Sequence, residues 1–260
     1  MKKILYLLLV AALLSTASCM KIDNWDAPDC TFEGTVYDSY TNQPLLASQN
    51  DWQIRIWERS FKGYEDGASN YQELRIKQDG TYRNTKLFAG TYDMYLYDGP
   101  FWPIDTIKNV ELKSTTIQDF TVTPYMQVID FKTELSGDQL TLKFKLKAPL
   151  LEKDGNRIPN LYDVRFWISF NNYCGNGSDS NIGFNEWHGL EYNGQKQLRQ
   201  AWTDVIKPEN GGNGIDTSCE YMLGPIKLKT GHKYYVRGGA NVNTANRRYN
   251  YSEIKEIDLR

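Results

Sequence analysis

The chain has 260 residues, which is long enough for one large or two ordinary domains that each bury a core. Its net charge is −2, from 30 basic and 32 acidic side chains, and this balance argues against a nucleic-acid partner. The 18 Tyr and 7 Trp residues combine apolar area with a polar group, so they suit both sheets and recognition surfaces.

The N-terminus predicts export and attachment to a membrane. Lys2 and Lys3 precede an apolar run, residues 4–14, which has the length of a secretory signal core and is too short to span a bilayer. Small residues follow and end at Cys19, an arrangement that resembles a lipobox, where the cysteine is lipidated before cleavage. We therefore expect residues 1–18 to be a signal peptide and Cys19 to carry a lipid anchor. The alternative is a secreted soluble protein in which Cys19 has no special role.

The next segment, residues 19–29, is polar and contains Pro28, so we interpret it as a tether between the lipid and the first strand. A first domain is predicted over residues 30–123, where runs rich in β-branched and aromatic residues alternate with turn signals such as Asp79-Gly80. No amphipathic helix of ordinary length is evident there, so this domain is predicted to be all-β. Its predicted strands cover residues 31–38, 52–59, 70–77, 90–97, 106–112 and 116–123.

Pro124 marks the predicted boundary with a second domain, residues 124–260. Two runs alternate with period two, the pattern of strands that bury one face. Closing strands are expected at residues 233–239 and 254–259. Short strands at this spacing are typical of a β-sandwich. The buried positions of the two runs are predicted to be Leu140, Leu142, Phe144 and Leu146, then Val164, Phe166, Ile168 and Phe170.

The Gly-rich turns of the first domain carry a family resemblance. The segments 34–38, 42–45, 79–82 and 87–92, which read GTVYD, NQPL, DGTY and LFAGTY, are spaced as in the prealbumin-like, carboxypeptidase regulatory-type β-sandwich. On other proteins that domain is a non-catalytic accessory module. The resemblance therefore implies no catalytic residues here.

A second resemblance extends over nearly the whole chain. The segment 23–29, DNWDAPD, looks like the stretch after the lipidated cysteine in a Bacteroidetes lipoprotein family of unknown function, in which a prealbumin-like domain precedes an immunoglobulin-like one. Residues 234–240 and 249–252 are similar to that second domain. The resemblance implies an all-β fold of two β-sandwiches, prealbumin-like followed by immunoglobulin-like.

The same family resemblance implies a cellular context. Such lipoproteins are commonly encoded beside starch-utilisation-type outer-membrane transporter pairs, which implies glycan capture or import. We therefore expect an outer-membrane lipoprotein, with a transporter pair as a candidate partner. The residues after Cys19 match a surface-export signal only in part, so the cell surface is favoured while the periplasmic face stays open.

Three cysteines remain after Cys19. Cys174 and Cys219 lie beside Gly- and Asn-rich stretches of the second domain, and we predict them as a candidate disulfide, which an oxidising compartment allows. The alternative is three free thiols, with Cys30 as the third. No pair has the Cys-x-x-Cys spacing of a zinc site.

The sequence offers little for catalysis. His188 and His232 are the two histidines, and neither lies in a metal-binding or nucleophile motif. The loop of residues 171–181 is rich in Asn and Asp but lacks the carboxylate spacing of a calcium loop, so we interpret it as a surface loop. We expect no enzyme activity, no catalytic residue, no metal and no cofactor.

Aromatic residues give the sharper indication of function. Alternation directs Trp57 and Trp167 away from the cores, which is unusual for Trp. Trp167 and three aromatics of nearby loops form the predicted glycan-binding pool, although these rings could instead cover the second sheet or the domain interface. We expect a non-catalytic accessory that binds a neutral oligosaccharide or polysaccharide; the rival is a structural or adhesive lipoprotein that binds a protein partner. The pool consists of Trp167, Tyr173, Trp187 and Trp202.

Overall fold

The structure is a computed structural model and describes residues 27–60, 70–177, 190–192, 195–197 and 219–260. Every regular element in these ranges is a β-strand, which confirms the predicted all-β class. Within the same ranges no helix is long and apolar enough to cross a membrane.

The first half of the chain forms two facing sheets. The first sheet has the order β4-β1-β7, with β8 also paired to β1, and both β7 and β8 run parallel to β1. The second sheet has the order β3-β2-β5-β6 and is antiparallel. The strands are β1 (Cys30–Asp38), β2 (Gln53–Glu58), β3 (Gln72–Arg75), β4 (Thr81–Leu87), β5 (Gly90–Tyr97), β6 (Ile107–Leu112), β7 (Thr115–Ile117) and β8 (Phe120–Val122).

The side chains between these two sheets form one hydrophobic cluster, the N-terminal core. In β2, Ile54 and Ile56 point into it, and both are completely buried, as period-two alternation requires. Trp52 just before β2 is also buried and meets Phe101 edge to face, with ring centroids 5.2 Å apart. Burial of this apolar area is what holds the two sheets together.

The second half forms one sheet of five strands, one of four strands and a small hairpin of β11 and β12. The third sheet has the order β15-β14-β16-β10-β9. The fourth has the order β13-β17-β18, with β19 also paired to β17. The strands are β9 (Gln127–Ser136), β10 (Gln139–Lys147), β11 (Glu152–Lys153), β12 (Asn156–Arg157), β13 (Leu161–Ser169), β14 (Leu190–Tyr192), β15 (Gln195–Gln197), β16 (Glu220–Lys227), β17 (Lys233–Val242), β18 (Tyr249–Tyr251) and β19 (Lys255–Asp258).

A second cluster, the C-terminal core, lies between the third and fourth sheets. The alternating apolar set of β10, from Leu140 to Leu146, is fully buried as predicted. Phe144 packs against Phe166 of β13 and Tyr221 of β16, with ring centroids 4.8 and 5.6 Å apart. The predicted burial of Phe170 was wrong: β13 ends one residue earlier, and the ring is 51% exposed.

Two differences from the predicted strands of the first half have local causes. The strand β4 was not predicted, because its sequence TYRNTKL is polar and half-exposed at the edge of a sheet. The predicted strand 116–123 is two short strands, β7 and β8, which pair with β1 on either side of Gln118. Gly34 of β1 permits this approach, since a Cβ there would lie 2.2 Å from the carbonyl oxygen of Gln118.

Candidate functional site

Trp167 is the first member of the predicted glycan-binding pool, and the structure buries it. Alternation does direct its ring away from the C-terminal core, but the ring is only 6% exposed. It packs against Tyr249 and Tyr251 of β18, with ring centroids 5.0 and 5.2 Å away. It also lies close to Gly239, where a Cβ atom would be 2.8 Å from the Trp167 ring. The interpretation of Trp167 as part of a binding surface is therefore corrected: the ring is packed inside the protein.

The cluster around Trp167 joins the two halves of the chain, and we call it the junction cluster. It contains Trp167, Cys174, Tyr249 and Tyr251, with Leu46 of the first half packed against it. Trp167 thus fits the alternative interpretation of the sequence, in which these rings cover the interface between the domains.

Arg237 of β17 provides the polar part of this junction. It is 1% exposed, and its guanidinium donates to the carbonyl oxygens of Ala47, Cys174 and Ser252. The same group lies 4.1 Å from the centre of the Tyr251 ring. Burial lowers the pKa of Arg237 to about 10, so it remains charged at neutral pH. Three carbonyl groups already accept hydrogen bonds from the guanidinium. We therefore interpret Arg237 as a structural link between the two halves.

A second set of contacts crosses the junction beside Arg237. Arg248 donates to Asp98 from Nη2 at 3.0 Å and to Asp51 from Nη1 at 3.4 Å. The Tyr251 hydroxyl also donates to Asp51, at 3.4 Å. Burial raises the pKa of Asp51 above its ordinary 3.8, although the charge of Arg248 opposes this.

The remaining members of the predicted pool do not assemble around Trp167 in the described part of the chain. Tyr173 is 51% exposed in the turn after β13. Trp187 and Trp202 lie outside the described residues. Of the four aromatics, Tyr173 is thus the one that the structure shows at the surface.

The candidate disulfide is not present between Cys174 and Cys219. Both side chains are buried, but Cys174 belongs to the junction cluster and Cys219 to the C-terminal core. The Cys174 thiol donates to the carbonyl oxygen of Tyr235, at 3.4 Å, and the Cys219 thiol donates to that of Glu220, at 3.6 Å. Burial raises the pKa of Cys174 to about 12, so this thiol is unreactive at neutral pH.

A different aromatic surface lies on the outer face of the second sheet. Trp57 of β2 and Tyr71, just before β3, meet edge to face with centroids 5.8 Å apart. Arg55 lies next to them on β2, and its guanidinium carbon is 4.0 Å from the centre of the Tyr71 ring and 3.3 Å from that of Tyr97 on β5. All four side chains are partly exposed. We call Arg55, Trp57, Tyr71 and Tyr97 the aromatic face.

Strand register explains why these residues meet. Arg55 pairs with Tyr95 of β5, and Gln53 pairs with Tyr97, so the outward positions of β2 and β5 stand side by side. The cation–π contacts with Tyr71 and Tyr97 hold the Arg55 guanidinium against the rings. The aromatic face is therefore preorganised before any ligand arrives.

Hydrogen-bonding groups border the aromatic face. Gln53 donates to Glu73 of β3, and Arg75 donates to Gln53 at 2.8 Å. On the other side, Arg59 forms an ion pair with the buried Asp93, at 2.7 Å. An aromatic surface edged by carboxylate, amide and guanidinium groups is chemically suited to a ligand with an apolar face and a polar rim.

Metal-binding geometry is not found in the described part of the chain, where no group of three or more His, Cys, Asp or Glu residues could hold an ion. His232 packs its ring against Phe170 at 5.3 Å, and His188 lies outside the described residues. Two carboxylates beside the aromatic face, Glu73 and Asp93, are each held by an arginine.

Comparison with known proteins agrees with this architecture. Residues 30–123 match a family model described as the N-terminal domain of a protein of unknown function, DUF3823. The crystal structure of a "putative carbohydrate binding protein" from Bacteroides uniformis ATCC 8492 is 25% identical, with a TM-score of 0.67 over 89% of this chain and 100% of that one. No curated protein sequence matches the chain.

Structures of DUF3823 family proteins are also similar. One from Bacteroides uniformis ATCC 8492 is 21% identical, with a TM-score of 0.64, and covers 90% of this chain and 100% of its own. Another from Parabacteroides merdae ATCC 43184 is 18% identical, with a TM-score of 0.54 over the same shares. At these identities the likeness shows the fold. This chain thus has an N-terminal domain similar to that of DUF3823 proteins, followed by a second β-sandwich.

Proposed function

We propose that this chain is a non-catalytic glycan-binding lipoprotein of the outer membrane, an accessory of a polysaccharide uptake system. The single observation that carries the binding function is the aromatic face, where Arg55 is stacked between Tyr71 and Tyr97 beside the partly exposed Trp57. The carbohydrate-binding description of the similar Bacteroides uniformis protein supports the same function. The proposal also includes lipid anchoring through Cys19 and association with a transporter pair. These two parts follow from the sequence resemblance.

The physical basis is the shape of a sugar ring. A pyranose presents C–H groups on one face, which stack on a flat aromatic ring, and hydroxyl groups around its edge, which bind polar side chains. Covering a Trp or Tyr ring of about 150 to 250 Å² contributes a few kcal/mol at about 25 cal/mol per Å². After the entropy of association is subtracted, two such rings give affinities of roughly millimolar to micromolar. The aromatic face thus fits a weak, reversible glycan capture site.

Selectivity would come from the polar border of the aromatic face. Gln53, Glu73 and Arg75 already form a connected hydrogen-bonded group at its edge. A sugar hydroxyl that reached this group without a matching partner would leave a polar atom unsatisfied, which costs about 1–3 kcal/mol. We expect the border to discriminate between sugars that stack equally well on Trp57.

The test is isothermal titration of the full-length protein with a panel of polysaccharides, in a detergent without a sugar headgroup. We expect at least one glycan to bind, and Trp57→Ala to weaken that binding about tenfold or more while the melting temperature changes little. Trp167→Ala is the contrasting variant, because its ring is buried: it should lower stability by about 3–5 kcal/mol and leave the affinity unchanged.

Tyr173→Ala provides the matched control, since Tyr173 is an exposed aromatic distant in sequence from the aromatic face. Loss of affinity in Tyr173→Ala with full affinity in Trp57→Ala would move the site to the surface loops of the second half. Binding to no glycan in the panel, together with recovery of a stable complex with a transporter in the absence of any glycan, would replace the proposal by the adhesive or structural alternative.

A further inference from the structure

A polar groove continues from the aromatic face towards the first sheet. It lies where the edge strands β3 and β4 of the two facing sheets separate, and its volume is about 560 Å³. Glu73 and Arg75, which border the aromatic face, also line the groove. A ligand stacked on Trp57 and Tyr71 would therefore reach the groove with its next units. The other polar groups that line it are Lys77, Arg83, Asn84 and Thr85.

Positive charge predominates in this groove. Its lining contains Arg75, Lys77 and Arg83 against one carboxylate, that of Glu73. Arg75 pairs with Glu73 at 2.7 Å, and Arg83 pairs with Glu33 of β1 at 3.0 Å, but both arginines are more than half exposed. Exposed pairs of this kind contribute about 0–1 kcal/mol each, so an incoming anion can compete for the arginines.

Two further observations indicate that these cations are available to a ligand. Lys77 forms no ion pair with any of the described residues and is exposed at the groove. Arg55 of the aromatic face lies directly opposite Glu73 in the register of β2 and β3, so it is next to the groove lining. A row of cationic side chains thus leads from the stacking surface into the groove.

We infer that the glycan bound at the aromatic face is anionic, and that the groove receives its carboxylate or sulfate groups through Arg75, Lys77 and Arg83. This inference depends on the proposed glycan-binding function and specifies its ligand class. Arginine suits both groups, because its planar guanidinium binds two oxygens of a carboxylate or sulfate at once.

The whole-chain charge of −2 does not oppose this inference. At physiological ionic strength exposed charges are screened beyond about 8 Å, so a ligand senses the local charge of the groove. The inference thus specifies an anionic glycan, whereas the composition alone led us to expect a neutral oligosaccharide.

The test compares ligands that differ only in charge, using the full-length protein. Oligogalacturonate is titrated beside the same oligosaccharide with its carboxyl groups reduced to alcohols, and chondroitin sulfate is titrated beside desulfated chondroitin. We expect at least one charged ligand to bind about tenfold or more tightly than its uncharged or less charged counterpart. The pair that shows the difference identifies carboxylate or sulfate as the recognised group.

Variants of the groove then locate the effect. Lys77→Gln and Arg83→Gln should each weaken the charged ligand about fivefold or more without altering the melting temperature. Lys86→Gln is the matched control, because Lys86 is an exposed lysine of β4 outside the groove lining. Its affinity for the charged ligand should remain within twofold of that of the wild type.

Any of three results would overturn this inference alone. They are equal affinities within both ligand pairs, an equal loss in Lys86→Gln and in the groove variants, or binding of neutral glycans alone. The last result would leave the proposed function intact, because Trp57-dependent binding of a neutral glycan would still demonstrate glycan capture. Absence of all glycan binding would refute both proposals.

Discussion

Nη1 of Arg237 donates a hydrogen bond of 2.8 Å to the carbonyl oxygen of Ala47, a residue 190 positions earlier in the chain. The donor belongs to the central strand of the fourth sheet, and the acceptor belongs to the segment that precedes β2. A buried cation thus satisfies backbone groups from both halves of the protein. This links the stability of one half to the placement of the other.

Replacement of Arg237 by Met should destabilise the protein by about 3–5 kcal/mol, because the buried carbonyl oxygens of Ala47, Cys174 and Ser252 would lose their donor. Urea unfolding measures the loss. Arg260→Met is the control, since Arg260 is exposed and pairs with Asp258 at the surface; its effect should stay within about 0.5 kcal/mol. Similar losses in the two variants would show that Arg237 does not hold the junction.

Asp51 should give the stability of the protein a specific pH dependence. Burial raises its pKa above 3.8 in the folded state. The folded protein therefore binds the proton more tightly than the unfolded chain, and the stability from this group is complete below pH 3.8 and is lost as the pH rises through the folded pKa. Asp51→Asn should remove this loss, so that the variant gains stability relative to the wild type between pH 4 and pH 7.

Urea unfolding of the variants and the wild type at about pH 2.5, 4, 5.5 and 7 measures this effect. Asp258→Asn is a control of opposite sign, because hydrogen bonds from Arg260 lower the pKa of Asp258. The stability from Asp258 is present above pH 3.8 and is lost as the pH falls through the lowered pKa. A difference between Asp51→Asn and the wild type that does not change with pH would contradict the assigned role of burial.

The two halves should each fold alone, because each has its own hydrophobic core. Fragments of residues 29–123 and 125–260 are expected to show β-type circular dichroism and a cooperative thermal transition. Both should melt below the full chain, since separation removes the bonds of Arg237 and Arg248 across the junction. A fragment that remains unfolded under native conditions would show that the boundary at Pro124 is wrong.

Cys19 should be the site of lipid attachment. Metabolic labelling with a fatty acid is expected to mark the wild type and not Cys19→Ala, and the variant should leave the membrane fraction. Cys30→Ala is a suitable control, because Cys30 lies buried in β1 and its replacement should not alter labelling. Acylation that persists in Cys19→Ala would refute the anchor. Protease treatment of whole cells then distinguishes the surface from the periplasmic face.

The predictable parts of the fold are those that depend on local sequence. Alternation in β10 identified the buried set from Leu140 to Leu146, because a strand with one wet face imposes period two on its own residues. The same rule directed Trp57 and Trp167 away from their cores. It could not distinguish their environments, because Trp167 is covered by Tyr251 and Leu46, which come from distant parts of the chain.

The aromatic face could not be predicted from the sequence, for a related reason. Trp57 was predicted to point outward from β2, but the contacts of Trp57 and Arg55 with Tyr71 and Tyr97 depend on how β3 and β5 align with β2. A shift of one residue in either register would place these rings on the opposite side of the sheet. The groove likewise combines β3 with β4, a strand that the sequence did not predict.

The position of β1 has a mechanical consequence for a protein held by its N-terminal segment. This strand begins at Cys30 and is hydrogen-bonded on both sides, to β4 along one edge and to β7 and β8 along the other. A pull transmitted along β1 from the preceding tether loads both ladders in shear, so many hydrogen bonds must break together. Under the proposed anchoring through Cys19, this attachment point would resist drag on a bound polymer better than an edge strand, which could be peeled away one bond at a time.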